Sequence, residues 1–131
     1  MKIVPTPILS IPGISFTLAS SIIAEIGDIH KFESPAKLLA FAGLEPSTNQ
    51  SGDSISNTNA RMVKRGSTYL RWAIMNAARL VATKDHTFTL FLAKKRAEGK
   101  PFFVALSHVA KKLLRVIFHL LKTKQIFIPQ S

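Results

Sequence analysis

Gly27, Ser34 with Pro35, Gly43, Ser67, Gly99 and Pro101 divide this chain into short segments. Each lies at the edge of a segment whose apolar residues recur at helical spacing, and these residue types cap or stop helices. Leu18, Ile22, Ile23 and Ile26 predict a helix over about 16–26, stopped by Gly27. Ser34-Pro35 opens a short helix carrying Leu38, Leu39 and Phe41, which Gly43 ends. Ser67 caps a helix over about 68–81 with Leu70, Ile74, Ala77, Ala78 and Val81 as its buried stripe, leaving Arg71 and Arg79 off it. A helix over about 87–98 stops at Gly99. The last starts at Pro101 and runs to about 121, with Phe102, Leu106, Val109, Leu113, Ile117 and Leu120 inward. The fold class expected is therefore all-α, about five helices in a single domain over 1–131, with no substantial sheet.

Two stretches break the pattern. Residues 44–65 have no helical period and are rich in Ser, Thr, Asn, Gly and Asp. A loop of that length in a compact domain is usually functional or disordered. At the start, Ile8-Leu9-Ser10-Ile11 reads as the last turn of a short helix, and Pro12-Gly13-Ile14-Ser15 as a tight turn into the next. That helix-hairpin-helix-like turn either presents backbone N–H groups to a phosphate, with Gly13 and Ser15 as the contacts, or is a plain turn. Near the other end, Ile126-Phe127-Ile128 forms an apolar tail able to dock on the body or on a partner.

Charge narrows the function. The 131 residues carry a formal net charge of +11, and 47% are hydrophobic. Such an excess points to a polyanion, nucleic acid above all, with an anionic membrane surface as the alternative. The excess is uneven. Residues 51–131 hold fifteen Lys and Arg against Asp53, Asp85 and Glu98, whereas residues 1–50 are slightly acidic. With no cysteine there is neither a disulfide framework nor a thiolate metal site. No apolar run reaches the roughly 18 residues of a membrane span. Lys2 precedes no secretory pattern, so a cytoplasmic chain without membrane partners is the default expectation.

The chemistry-bearing residues cluster in the loop. Ser51 sits between Gln50 and Gly52, ahead of Arg61, Lys64 and Arg65. No base-activated triad accompanies it, and Ser54 and Ser56 compete as hydroxyls. Attack on a phosphodiester needs cations to stabilise charge on the transferring phosphoryl, and Arg61, Lys64 and Arg65 are of the right type. Lys64-Arg65-Gly66-Ser67 runs into a helix N-terminus, where side-chain charge and free N–H groups converge on an anion unless the turn is merely solvated. Lys94-Lys95-Arg96 and Lys111-Lys112-Arg115 read as solvated faces or as nonspecific backbone contacts. The histidines lack metal-ligand spacing. Glu25 and Asp28 would hold a magnesium ion only if a partner added oxygens, so no metal is assigned to this domain.

One ordered set of residues carries a resemblance. It comprises Ile11-Pro-Gly-Ile14, Ala24-Glu-Ile-Gly-Asp28, the run from Phe32 through Ser34-Pro35 and Gly43-Leu44 to Pro46, Gln50-Ser-Gly52, Ile55-Ser56, Lys64-Arg-Gly66, Tyr69-Leu-Arg71 and Ala77-Ala78. Over roughly residues 8–121 the chain resembles the C-terminal domain of transposases of the 110/116/902 insertion-sequence family. The resemblance implies a fragment of a longer protein, whose N-terminal domain would have a resolvase-like fold and four metal-binding acids. It implies that Ser51 attacks DNA to form a phosphoserine intermediate. It also implies a divalent metal, expected to be magnesium, in the missing domain, a bridging non-coding RNA as partner, and self-association to complete the active sites. Gly13, Ser15, Arg61, Lys64, Arg65, Ser67 and Arg71 are the expected phosphate contacts. Ser15 stands where the hairpin motif usually has a second glycine, and Asn57-Thr58-Asn59 where relatives often carry more glycine and basic residues. The alternative is a non-catalytic nucleic-acid-binding or oligomerisation module.

Overall fold

The computed structural model describes residues 6–45 and 67–128. Among them are five α-helices and no strand, which establishes the all-α class. They are α1 (Phe16–Ile26), α2 (Pro35–Phe41), α3 (Thr68–Lys84), α4 (His86–Ala97) and α5 (Phe102–Thr123). Two 3₁₀ turns, Pro7–Ser10 and Ile29–Lys31, precede α1 and α2. The first limb of the N-terminal hairpin is thus a four-residue 3₁₀ turn.

The long α5 is the axis of the fold. It packs against α2, α3, α4 and both 3₁₀ turns, while α1 lies on α3. Leu106, Val109, Leu113, Ile117 and Leu120 are buried along it, joined by Ala105, Ala110, Leu114 and Phe118. Phe102 corrects the expected stripe: it is 48% exposed, as are its neighbours Phe103 and Val104 to similar or greater extent. In the first turn of α5 the period that buries Leu106 continues past the edge of the core, and Phe102 overhangs it. The stripe expected for α3 is buried throughout, with Ala73 and Ala82 added. Alanines at these positions let helices approach closely.

Capping decides where the helices begin. Ser15, Ser34 and Ser67 each accept a hydrogen bond from a backbone N–H three residues on. Asp85 is a cap the apolar period did not announce. It is 2% exposed, its N–H donates to Val81 O, and its carboxylate accepts from Phe88 N–H at 3.1 Å. One residue thus closes α3 and opens α4, so α3 runs three residues beyond the apolar pattern. Gly43 takes φ +74° after α2, and Leu44 N–H reaches back to Leu39 O in a left-handed helix stop. The tail docks through its middle residue. Phe127 N–H donates to Ser10 Oγ at 2.7 Å and its ring lies against Phe88, leaving Ile126 and Ile128 exposed.

The best-connected cap is Ser67. Its hydroxyl is 8% exposed, accepts from Leu70 N–H at 2.8 Å and donates to Glu25 Oε1 of α1 at 2.5 Å. Its own N–H donates to Phe41 O of α2 at 3.0 Å. Replacing Ser67 with Ala removes the cap and strands a half-buried carboxylate partner, so stability should fall by about 2–3 kcal/mol in urea unfolding. Threonine should restore most of it. A loss for S67A below about 0.5 kcal/mol, the scale of ordinary surface substitutions, would contradict this role.

Candidate functional site

Ser51, Arg61, Lys64 and Arg65, with the competing hydroxyls Ser54 and Ser56, lie outside the described residues. What the structure fixes is the two flanks of segment 46–66. On one side, Glu45 Oε2 accepts from Arg115 Nη2 of α5 at 2.6 Å. On the other, Ser67 is held by α1, α2 and its own helix as described. Phe41, its α2 partner, lies one helical turn before Glu45. The flanks therefore meet at one edge of the bundle, where α2 ends and α3 begins.

The described phosphate candidates fall at two ends of the α1–α3 pair. Ser67 and Arg71 sit at the start of α3, with Arg71 exposed beside Gly43. Gly13 and Ser15 sit at the other end. A Cβ on Gly13 would lie 2.9 Å from Val81 Cα, and its φ is +101°. The turn thus presses directly on the backbone of α3, and glycine is required there for close approach. Ser15 Oγ accepts from Leu18 N–H at 3.2 Å. Arg71 and Val81 are ten residues apart, roughly 15 Å along a helix. The structure brings Ser67 and Arg71 together and keeps Gly13 and Ser15 away from both.

The basic clusters of α4 and α5, by contrast, converge. Lys95, Lys111, Lys112 and Arg115 line one hollow together with His108, His119 and Glu45, the acid paired with Arg115. The ammonium groups of Lys95 and Lys112 lie over the Phe91 ring at 5.2 and 5.1 Å, so one aromatic ring attracts cations from both α4 and α5. Tyr69 and Trp72 went unremarked in the sequence as a pair. Their rings stack at 5.6 Å on the outer face of α3, half exposed. Their spacing of three, off the buried stripe, was the available signal.

Residues 6–93 match the Transposase IS116/IS110/IS902 family. The chain belongs to this family. It is 32% identical over 123 residues to a 43.6 kDa protein of insertion element IS110 from Streptomyces coelicolor, covering 89% of this chain and 29% of that protein. It is 39% identical over 70 residues to the transposase of insertion sequence IS1111A from Coxiella burnetii, covering 53% of this chain and 19% of that one. A 42 kDa protein of insertion element IS900 from Mycobacterium paratuberculosis is 30% identical over 125 residues, covering 95% of this chain and 31% of that protein. The chain thus spans less than a third of the length of these relatives. No solved structure matches it.

No group of three or more His, Asp or Glu converges among the described residues. Glu25 and Asp28 are committed to Ser67 and to the N–H of His30. No helix among the described residues is long and apolar enough to cross a bilayer.

The hollow between α4 and α5 has an electrostatic signature. Partial burial, then the cations Lys111, Lys95 and Lys100, hold the pKa of His108 below its ordinary 6.5, with Glu98 pulling the other way. The neutral imidazole therefore favours the fold above about pH 6.5, and that contribution is lost as pH falls through the folded pKa. In an NMR titration His108 should lose its proton below pH 6.5, and Lys111→Ala should move the transition upward. A transition at or above the ordinary value would show that burial and the cations do not together depress this imidazole.

Proposed function

We propose that this chain is the DNA-attacking domain of an insertion-sequence transposase, with the Ser51 hydroxyl as nucleophile. Membership of the transposase family carries the reading, and Ser51 falls within the matched span. The strongly basic second part of the chain supports DNA as the partner. The flanks of the segment that carries Ser51 are both anchored to the bundle, Glu45 through Arg115 and Ser67 through Phe41 O.

In the proposed step, Ser51 Oγ attacks a DNA phosphorus. A new Oγ–P bond forms as one P–O bond to a sugar breaks, and the departing sugar oxygen takes up a proton. The serine proton passes to a base outside this domain, since serine alone is a weak nucleophile. Arg61, Lys64 and Arg65 offset the charge that develops on the phosphoryl oxygens, and Arg71 extends the cationic surface along α3. Ser67 contributes by position, fixing where the loop rejoins the helix. A divalent metal, held by a separate N-terminal domain, would supply charge neutralisation at the transferring phosphate. A bridging RNA and self-association belong to the same reading. The exposed Phe16, Ile126 and Ile128 give the association an apolar surface.

The test is strand exchange by the full-length protein in the presence of DNA, RNA and magnesium. Ser51→Ala should abolish the reaction while DNA affinity stays within about twofold, because no charge is lost. If S51A still exchanged strands, the chain would instead be a non-catalytic nucleic-acid-binding module.

A further inference from the structure

Beyond the loop, α3 and α5 enclose a groove of about 760 Å³. Its floor and walls are aromatic and cationic. Its lining aromatics Trp72, Phe102 and Phe103 are 56%, 48% and 68% exposed, and Tyr69, outside the groove, stacks on Trp72 with ring planes 18° apart. Arg71, Arg79 and Lys111 stand among the groove residues, and no acid lines it among the described residues. The platform is built in advance. Asn76 Nδ2 donates to the Trp72 backbone O at 2.8 Å, and Asn76 Oδ1 accepts from Arg79 Nη2 at 3.0 Å, which holds the guanidinium against another residue of the groove. Lys111 also lines the hollow that holds Lys95, Lys112 and the Arg115–Glu45 ion pair. One cation therefore joins the aromatic groove to a second hollow in which cations outnumber acids.

We infer that this groove binds an unpaired nucleic-acid strand, with a base stacked on Trp72, whose ring Tyr69 backs from outside the groove, and phosphates running past Lys111 toward Lys112. Exposed, parallel aromatic rings cost solvation unless a flat apolar partner covers them, and each base offers such a face. A duplex hides its base faces and meets only the cations. A second copy of this chain would set Arg71, Arg79 and Lys111 against their own kind across a two-fold contact. Recognition through base faces and phosphates does not read the 2′-hydroxyl, so DNA and RNA strands bind alike. The inference deepens the transposase reading by naming what one surface holds. Ser51 takes no part in it, so either can fail alone.

Trp72 is the single tryptophan, and its fluorescence reports directly on the platform. Single-stranded DNA of about 16 nucleotides should quench it on binding to the 131-residue chain, whereas inorganic polyphosphate should bind without quenching. By fluorescence anisotropy, Trp72→Ala should weaken single-strand binding about 5- to 100-fold while the salt dependence stays unchanged, and Trp72→Phe should retain most of it. The Lys111→Ala, Lys112→Ala pair should instead flatten the salt dependence. Circular dichroism checks that the exposed substitutions leave the helices intact. Four results would overturn the inference: binding without quenching, duplex bound as tightly as single strand, RNA preferred over DNA by more than tenfold, or a dimer in sedimentation that Trp72→Ala dissolves.

Discussion

The hydroxyl of Ser67 joins three parts of the fold at one atom. It accepts the N–H that opens α3 and donates to the Glu25 carboxylate of α1, while the same residue's N–H holds the end of α2. Helix N-termini leave donors that must be paired, and a buried one has no water to turn to. A serine at this position meets that need and leaves a proton for a carboxylate on the neighbouring helix. The consequence reaches beyond stability. The chain between Glu45 and Ser67 has both flanks fastened to the same bundle edge, one by a salt bridge to α5 and one by this cap.

Apolar period and capping residues were enough to read the helices. The bounds of α1 agree with the spacing of Leu18, Ile22 and Ile26 and with the stop at Gly27. The buried stripes of α3 and α5 agree apart from Phe102. What escaped was tertiary. Asp85 is a charged residue at a helix junction, and only the fold turns its carboxylate inward to cap α4. Gly13 reads as a turn glycine, but its necessity comes from the α3 backbone less than a methyl's width away. The 3₁₀ turn at Ile29–Lys31 is too short to leave a period, and Asp28 serves it as cap.

The site was legible in kind more than in arrangement. Charge asymmetry pointed to the second part of the chain, and Lys95 of one basic run meets Lys111, Lys112 and Arg115 of the other in one hollow, with Glu45 from the first part among them. The sequence could not tell that Gly13 and Ser15 lie at the opposite end of α3 from Ser67 and Arg71, because that separation depends on how α1 lies along α3. Nor did it single out Tyr69 and Trp72, since exposed aromatics at a spacing of three look like ordinary helix residues until the groove beside them is seen.

The central claim is that Ser51 forms the covalent bond to DNA. The most direct measurement traps the full-length protein on a DNA substrate, digests it, and locates the nucleotide-bearing residue by mass spectrometry. A phosphodiester on Ser51 Oγ is the expected result. An adduct on Ser54 or Ser56, or exchange with no adduct at all, would contradict it.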